Sequence, residues 1–154
     1  FKHPNFLTLP WTKFLKLNFN EVSVAIGPGL GPSQKSLKLV KALLRAKAPQ
    51  VVIDADALNA CAKNKLLPLP VTWIATPHEG ELSRLIGWSS QKIRKNRRAA
   101  IKLAQKKLGC TVILKGHKTL VASGGNFFEI QSGNAALAKA GTGDTLTGMI
   151  AALR

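Results

Sequence analysis

Four consecutive residues near the end of the chain, Gly141-Thr142-Gly143-Asp144, combine types that could handle a phosphate. They follow Gly133-Asn134 and the small residues Ala135 to Ala140, and Leu146, Ile150 and Leu153 recur after them at helical spacing, so a loop opens into a helix here. The first amides of a helix lack internal partners and sit at the positive end of its dipole, which suits an anion. Gly141 and Gly143 let that backbone approach a phosphate with no Cβ in the way. Asp144 then has two readings. It is an ordinary N-terminal acid satisfying an N–H, or it is a general base that takes a proton from a hydroxyl attacking a terminal phosphoryl group while the amides stabilise the developing charge. A Gly-x-Gly-Asp match is weak by itself, so the decision falls to the elements around it.

Those elements alternate. Val22 to Ile26 is a β-branched apolar run stopping at Gly27-Pro28-Gly29-Leu30-Gly31, the pattern of a buried strand meeting a tight loop. Ser33 is placed to cap a helix whose Leu37, Val40 and Leu44 share one face, ended by Pro49. Val51 to Asp54 is a second strand, followed by Asp56 and Asn59; Val71 to Ala75 is a third, leading to Thr76-Pro77-His78-Glu79-Gly80-Glu81 and a short helix through Ile86. A long helix is expected from about Ser90, with Ile93, Ala100, Ile101, Ala104 and Leu108 inward and Gly109 as its stop. Thr111 to Leu114 is a fourth strand entering Lys115-Gly116-His117-Lys118-Thr119, and Leu120 to Ala122 with Phe127 to Ile130 form a hairpin around Ser123 to Asn126. Residues 1 to 20 show no sustained period and are taken as an irregular lead-in to a domain over 21–154.

Such alternation predicts an α/β fold, a mostly parallel sheet with helices on both faces. Ligands gather at the carboxyl ends of such strands. The loops after Ile26, Ile53, Ala75 and Leu114 all fall at that end, and together they define a site that no single loop would. The length suffices for one domain with its own core, and no stretch approaches a membrane span. No secretory leader is visible in the first twenty residues, and Cys61 and Cys110 stand apart without metal or disulfide spacing, so the expectation is a cytoplasmic protein with two buried thiols.

In order along the chain, Gly27-Pro28-Gly29-Leu30-Gly31, Asp54-Ala55-Asp56-Ala57-Leu58-Asn59, Thr76 to Glu81, Lys115 to Thr119 and Gly133-Asn134 through Asp144 resemble the motifs of the NAD(P)H-hydrate dehydratases, enzymes of the ribokinase-like class. The resemblance runs from about Val22 to the C-terminus. It implies repair of hydrated NADH or NADPH: a nucleotide, ADP or ATP, with Mg2+, phosphorylates the added ring hydroxyl, which then leaves as phosphate. It implies that Gly29, Gly31 and His78 line the hydrated dinucleotide, that Lys115, Gly116, His117, Lys118, Thr119 and Gly143 hold the adenine nucleotide, and that Asp144 is the base beside Gly141, Thr142 and Gly143. The His78 block and Thr119 look more like the bacterial, ADP-using branch. Ala140 stands where relatives usually carry another Gly. The family also has strands and a Gly-rich segment before the first match and helices beyond Arg154, so a partial domain, truncated at both ends, is expected, with a homo-oligomeric full-length parent.

Asp54 and Asp56 have two readings, as water-mediated Mg2+ holders or as caps of the next helix, and capping is favoured. Glu81 either orients that metal or hydrogen-bonds its loop. His117 is otherwise a loop residue and His3 a surface one. The chain has 23 Lys and Arg against 7 Asp and Glu, a formal charge of +16, which implies attraction to polyanions. Residues 91 to 107 carry eight of those cations and no acid, the pattern a nucleic-acid-binding face would show. The absence of Tyr, of interleaved aromatic rings and of a known binding motif argues against that reading. A ribokinase-like kinase of a small alcohol shares the helix-start anion site but gives no reason for the Thr76 to Glu81 block.

Overall fold

The structure is a computed structural model and describes residues 10–31 and 34–154. The Ser33 cap and His3 lie outside the described residues. A one-turn helix α1 (Trp11–Phe14) precedes β1 (Val24–Ile26), α2 (Gln34–Arg45), β2 (Val51–Ile53), α3 (Ala55–Lys63) and β3 (Ile74–Ala75). Then come α4 (Glu79–Ile86), α5 (Ser90–Lys95), α6 (Arg97–Leu108), β4 (Thr111–Leu114), β5 (Leu120–Ser123), β6 (Asn126–Glu129) and α7 (Thr142–Ala152). The six strands lie in sequence order. The first four are parallel, β5 runs antiparallel to β4 and β6 antiparallel to β5, so the expected mostly parallel sheet is present.

Right-handed crossovers between neighbouring parallel strands put α2, α3 and α4–α6 on one face, and these helices pack on one another in series. α7 packs instead on β1 and β2. All three β2 residues are fully buried although their side chains alternate faces, which requires cover on both sides of the sheet. The core runs from Val40 and Leu43 through Val51, Ile53 and Trp73 to Ile101, Leu108 and Leu114. Phe19 joins it and meets the Phe14 ring edge-on at 5.4 Å, so the described part of the lead-in packs against the domain.

Two elements differ from expectation. The third strand is only Ile74–Ala75: Val71 is 78% exposed, and the Trp73 amide is used in a turn to the Pro70 carbonyl rather than in a ladder. Its indole Nε1 donates to the Ala48 carbonyl at 2.7 Å, so the residue is pinned as a core plug. The long helix is two. Asn96 leaves helical geometry (φ −136°, ψ 48°), and its amide and side-chain amide both fold back onto α5 carbonyls. Gly109 ends α6 in the left-handed conformation, as its position predicts.

Gly27 is where the sheet needs a bare backbone. Its φ is +131°, and a Cβ there would lie 1.8 Å from the Asp54 carbonyl oxygen. Gly27→Ala should therefore lower unfolding free energy by at least about 2 kcal/mol in urea titrations, through combined clash and backbone strain; an unchanged midpoint would refute this close approach.

Candidate functional site

The loops after β1, β2, β3 and β4 and the start of α7 meet at one end of the sheet. Each strand delivers its polar residue as it leaves the sheet: Gly27 beside Asp54, then Thr76, then Lys115, whose amide donates to the Pro77 carbonyl at 2.9 Å and carries the pairing past the strand. Asp54, at 1% exposure, is the hub. Its Oδ1 accepts from Lys115 Nζ at 2.6 Å, and its Oδ2 accepts from the Thr147 hydroxyl at 2.8 Å. Thr147 lies one turn beyond Gly143 and also approaches the Gly143 carbonyl at 3.0 Å and the Thr76 hydroxyl at 3.5 Å. A Cβ on Gly143 would sit 3.4 Å from Lys115 Nζ. Lys115 and Gly143, assigned to one ligand from sequence, are therefore neighbours in space.

The favoured capping reading of Asp54 and Asp56 is wrong in both cases. Asp54 occupies the N-cap position of α3 but its side chain makes no capping bond, because the carboxylate is drawn across the sheet by Lys115 and Thr147. Asp56 accepts from the Gly31 amide at 2.8 Å, and the Ser36 hydroxyl donates to the Gly31 carbonyl at 2.6 Å, so the Gly-rich loop is clamped on both sides of Gly31. The donor set does not fit a resident Mg2+ either. Both Asp54 oxygens are engaged, and no group of three or more His, Cys, Asp or Glu among the described residues could hold a metal.

Glu81 bonds its own loop. It and His78 form a reciprocal cap on α4: Glu81 Oε2 accepts the His78 amide at 2.8 Å, while His78 Nδ1 accepts the Gly80 amide at 2.9 Å. With Nδ1 an acceptor, the proton sits on Nε2, which faces Glu81 Oε1 at 3.2 Å. Burial pushes the Glu81 carboxyl above its ordinary value of 4.5 and the Asp54 charge adds to this, against the opposing pull of the His78 amide, Lys115 and the His78 ring. Burial likewise pushes the Cys61 and Cys110 thiols up to about 12, in keeping with inert core residues.

Gly141 (φ +85°) stands at the N-cap position of α7, which has no side-chain cap. The Thr142 amide reaches the Lys139 carbonyl at 3.3 Å and the Thr145 amide bonds Gly141, while the amides of Gly143 and Asp144 meet no acceptor among the described residues. The exposed Asp144 lines a cavity of about 580 Å³ together with Gly27, Pro28 and Leu30 of the Gly-rich loop, Thr147 and Gly148. Gly29 and Gly31 stand in that loop with positive φ. The Lys115–Thr119 loop is divided. Lys115 points to Asp54, Thr119 closes the loop onto the Gly116 carbonyl at 3.1 Å, and His117 and Lys118 line a second cavity that shares no lining residue with the first. Thr147 was not singled out in the sequence, while Thr76 and Arg97 entered only as members of the Thr76–Glu81 block and of the basic run 91–107, with no role of their own. The available signal for Thr147 was a β-branched polar residue four positions after Gly143, on a helix face that had to be buried.

A parallel sheet carrying a glycine-opened, uncapped helix start beside a free carboxylate is the arrangement of the ribokinase-like α/β proteins. A family model described as NAD(P)H-hydrate dehydratase matches residues 8–153, and the chain belongs to that family. It is 40% identical over 145 residues to a bifunctional NAD(P)H-hydrate repair enzyme of Thermofilum pendens, covering 92% of this chain and 28% of that protein. It is 38% identical over 143 residues to the ADP-dependent (S)-NAD(P)H-hydrate dehydratase of Bacillus subtilis, covering 91% and 50%. Among solved structures, a ribokinase-like protein of Enterococcus faecalis matches with a TM-score of 0.80 at 30% identity, over 92% of this chain and 50% of that one. The B. subtilis ADP/ATP-dependent dehydratase co-crystallised with ATP/Mg2+ and soaked with CoA matches with a TM-score of 0.75 at 38% identity, over 92% and 52%. The chain thus spans between about a quarter and a half of the curated relatives it matches. No described helix is long and apolar enough to cross a membrane.

Two measurements check this geometry. Asp54→Ala should cost about 3 kcal/mol in urea unfolding, the lower end for a broken buried ion pair because Lys115 keeps some solvent contact, and Thr147→Val about 1–2 kcal/mol; values near zero for both would dissolve the network. Because the folded state binds the Glu81 proton more tightly than the unfolded chain, the contribution of Glu81 to stability is complete below about 4.5 and is lost as pH rises through its raised value. Glu81→Gln keeps an acceptor for the His78 amide and should flatten that part of the pH–stability curve; an unaltered curve would remove Glu81 as its source.

Proposed function

We propose that the protein carrying this chain dehydrates hydrated NADH or NADPH at the expense of a nucleotide, as metabolite repair. The observation that carries the reading is Asp144 lining the cavity one residue after Gly143, where the amides of Gly143 and Asp144 meet no acceptor among the described residues and Lys115 lies close to Gly143. The amides hold the terminal phosphoryl group and Asp144 takes the proton of the attacking ring hydroxyl. The hydroxyl oxygen bonds to phosphorus as the bond to the departing nucleotide breaks. The lone pair of the ring nitrogen then expels phosphate, a far better leaving group than hydroxide, and the adjacent carbon gives up a proton to restore reduced nicotinamide.

In this reading Gly29, Gly31 and His78 face the hydrated dinucleotide, Lys115 to Thr119 with Gly143 face the adenine nucleotide, and Gly141 and Thr142 shape the helix start. Residues 21–154 form part of a ribokinase-like domain, with 1–20 as its lead-in. ADP is the proposed donor, supported by the names of the Neisseria meningitidis and B. subtilis relatives. Mg2+ is assigned to the nucleotide, arriving on its phosphates, since the described residues offer no group of three or more His, Cys, Asp or Glu to cage it. The reading extends to a cytoplasmic, homo-oligomeric parent.

The test is to incubate the protein with hydrated NADH and ADP and follow the absorbance of reduced nicotinamide. No recovery with ADP or with ATP would overturn the proposal. Asp144→Asn should retain nucleotide affinity and lose about 10²–10⁴-fold in turnover, the range general-base catalysis supplies; a variant that turns over normally would take Asp144 out of the mechanism.

A further inference from the structure

The start of α6 is built against its own helix dipole. Arg97 and Arg98 open it and Lys95 lies just before, its first turn holds no acid, and the Asn96 side chain makes no capping bond to it. Cations at the positive end of a helix are unfavourable by about 0.3–1 kcal/mol each, so three of them gathered there repel the helix end and one another. This start forms one wall of the second cavity, of about 540 Å³, which is closed by His117 and Lys118 from the loop after β4 and by Leu120 and Glu129. Five basic side chains, Arg94, Lys95, Arg97, Arg98 and Lys118, line it against the single carboxylate of Glu129.

The ion pairs in place do not neutralise it. Arg97 bonds Glu79 at 2.7 Å and the Leu114 carbonyl at 3.4 Å, yet its buried Nε has no acceptor among the described residues. Arg98 meets Glu129 at 2.9 Å while its side chain is 71% exposed, a pair that water screens. Arg94 reaches Glu79 only at 3.5 Å, and Lys95 and Lys118 are exposed with no carboxylate in ion-pair contact among the described residues, although the Lys118 charge is felt by Glu129.

We propose that this cleft is a second anion site, taking a small ligand with a phosphate or diphosphate group, separate from the helix start of α7. Guanidinium groups match phosphate oxygens with paired hydrogen bonds. The volume is that of a small-molecule site. A bound dianion would relieve the repulsion at the start of α6. No Phe, Trp or Tyr lines the cleft and the imidazole of His117 is its single ring, while guanidinium and ammonium groups dominate the wall, so it suits a phosphate better than a nucleobase. Because His117 and Lys118 also belong to the loop assigned to the nucleotide, the test must separate the two ligands.

The experiment follows backbone amide shifts of the full-length protein during titration with inorganic pyrophosphate, alone and with saturating ADP. Saturable shifts at Arg97, Arg98, Ala99, His117 and Lys118 that persist with ADP present are expected. Lys95→Gln with Arg98→Gln should weaken this binding at least about tenfold, as loss of charge-assisted hydrogen bonds predicts, while Lys63→Gln with Lys65→Gln, removing equal charge at the far end of α3, should change it less than about twofold. Equal weakening by both pairs would reduce the effect to diffuse attraction and overturn the proposal. So would shifts confined to residues 141–144, displacement of pyrophosphate by ADP, or binding of a single-stranded oligonucleotide where pyrophosphate does not bind. Failure of ADP to bind at 141–144 counts against the proposed reaction and leaves this site untouched.

Discussion

A carboxylate taken out of water has to be answered, and the answer to Asp54 organises the functional end of this protein. Desolvating it costs several kcal/mol, which is recovered only if a cation and hydrogen-bond donors are held against it in good geometry. Lys115 comes from the end of β4 and Thr147 from the second turn of α7, so the requirement ties β2, the loop after β4 and the last helix into one unit. Those parts are separated by 61 and 93 residues in sequence. The helix start that presents the amides of Gly143 and Asp144, which meet no acceptor among the described residues, is therefore oriented from below, by a group that itself has no need to touch a ligand.

The backbone around Asp54 shows that this placement is enforced. Ala55 has a φ of +42°, a conformation that is costly for any residue with a Cβ. Gly27 gives up its side chain so that β1 can pass close to the Asp54 carbonyl. Ala55 sits where β2 becomes α3 and Gly27 presses on that junction from the end of β1, at the point where the carboxylate is aimed across the sheet instead of down onto the helix it precedes.

That is also why the sequence showed the frame and missed the hub. Short β-branched runs ending in Gly, Asp, Thr-Pro and Lys-Gly are local patterns, and every strand and every rim loop could be read from them. An acid followed by a helix looks like a cap whether or not it is one, since the alternative partners of Asp54 lie far along the chain. Thr147 carried a local signal for burial, but its partner Asp54 lies 93 residues away and could not be read from it. The break at Asn96 was missed because hydrophobic spacing continues through it: Ile93 and Ala100 are both buried, and only the backbone bonds of Asn96 reveal two helices. Val71 and Thr72 carried the composition of a strand, but the turn between Pro70 and Trp73 had already claimed the amide a ladder would use.

Register makes the arrangement all or nothing. Ile26 pairs with Ile53, Ile53 with Ala75 and Ala75 with Val112, so Gly27, Asp54 and Thr76 leave the sheet side by side. Side chains alternate faces along a strand, and a slip of one residue in β2 would turn Ile53 toward Lys115 and drive Asp54 into the packing between sheet and helices. The apolar run Val51–Ile53, buried on both faces, would tolerate such a slip by hydrophobicity alone, because every residue in it is apolar. What forbids the slip is the charge at its end, so the buried carboxylate sets the register of the central strand as well as the position of the helix above it.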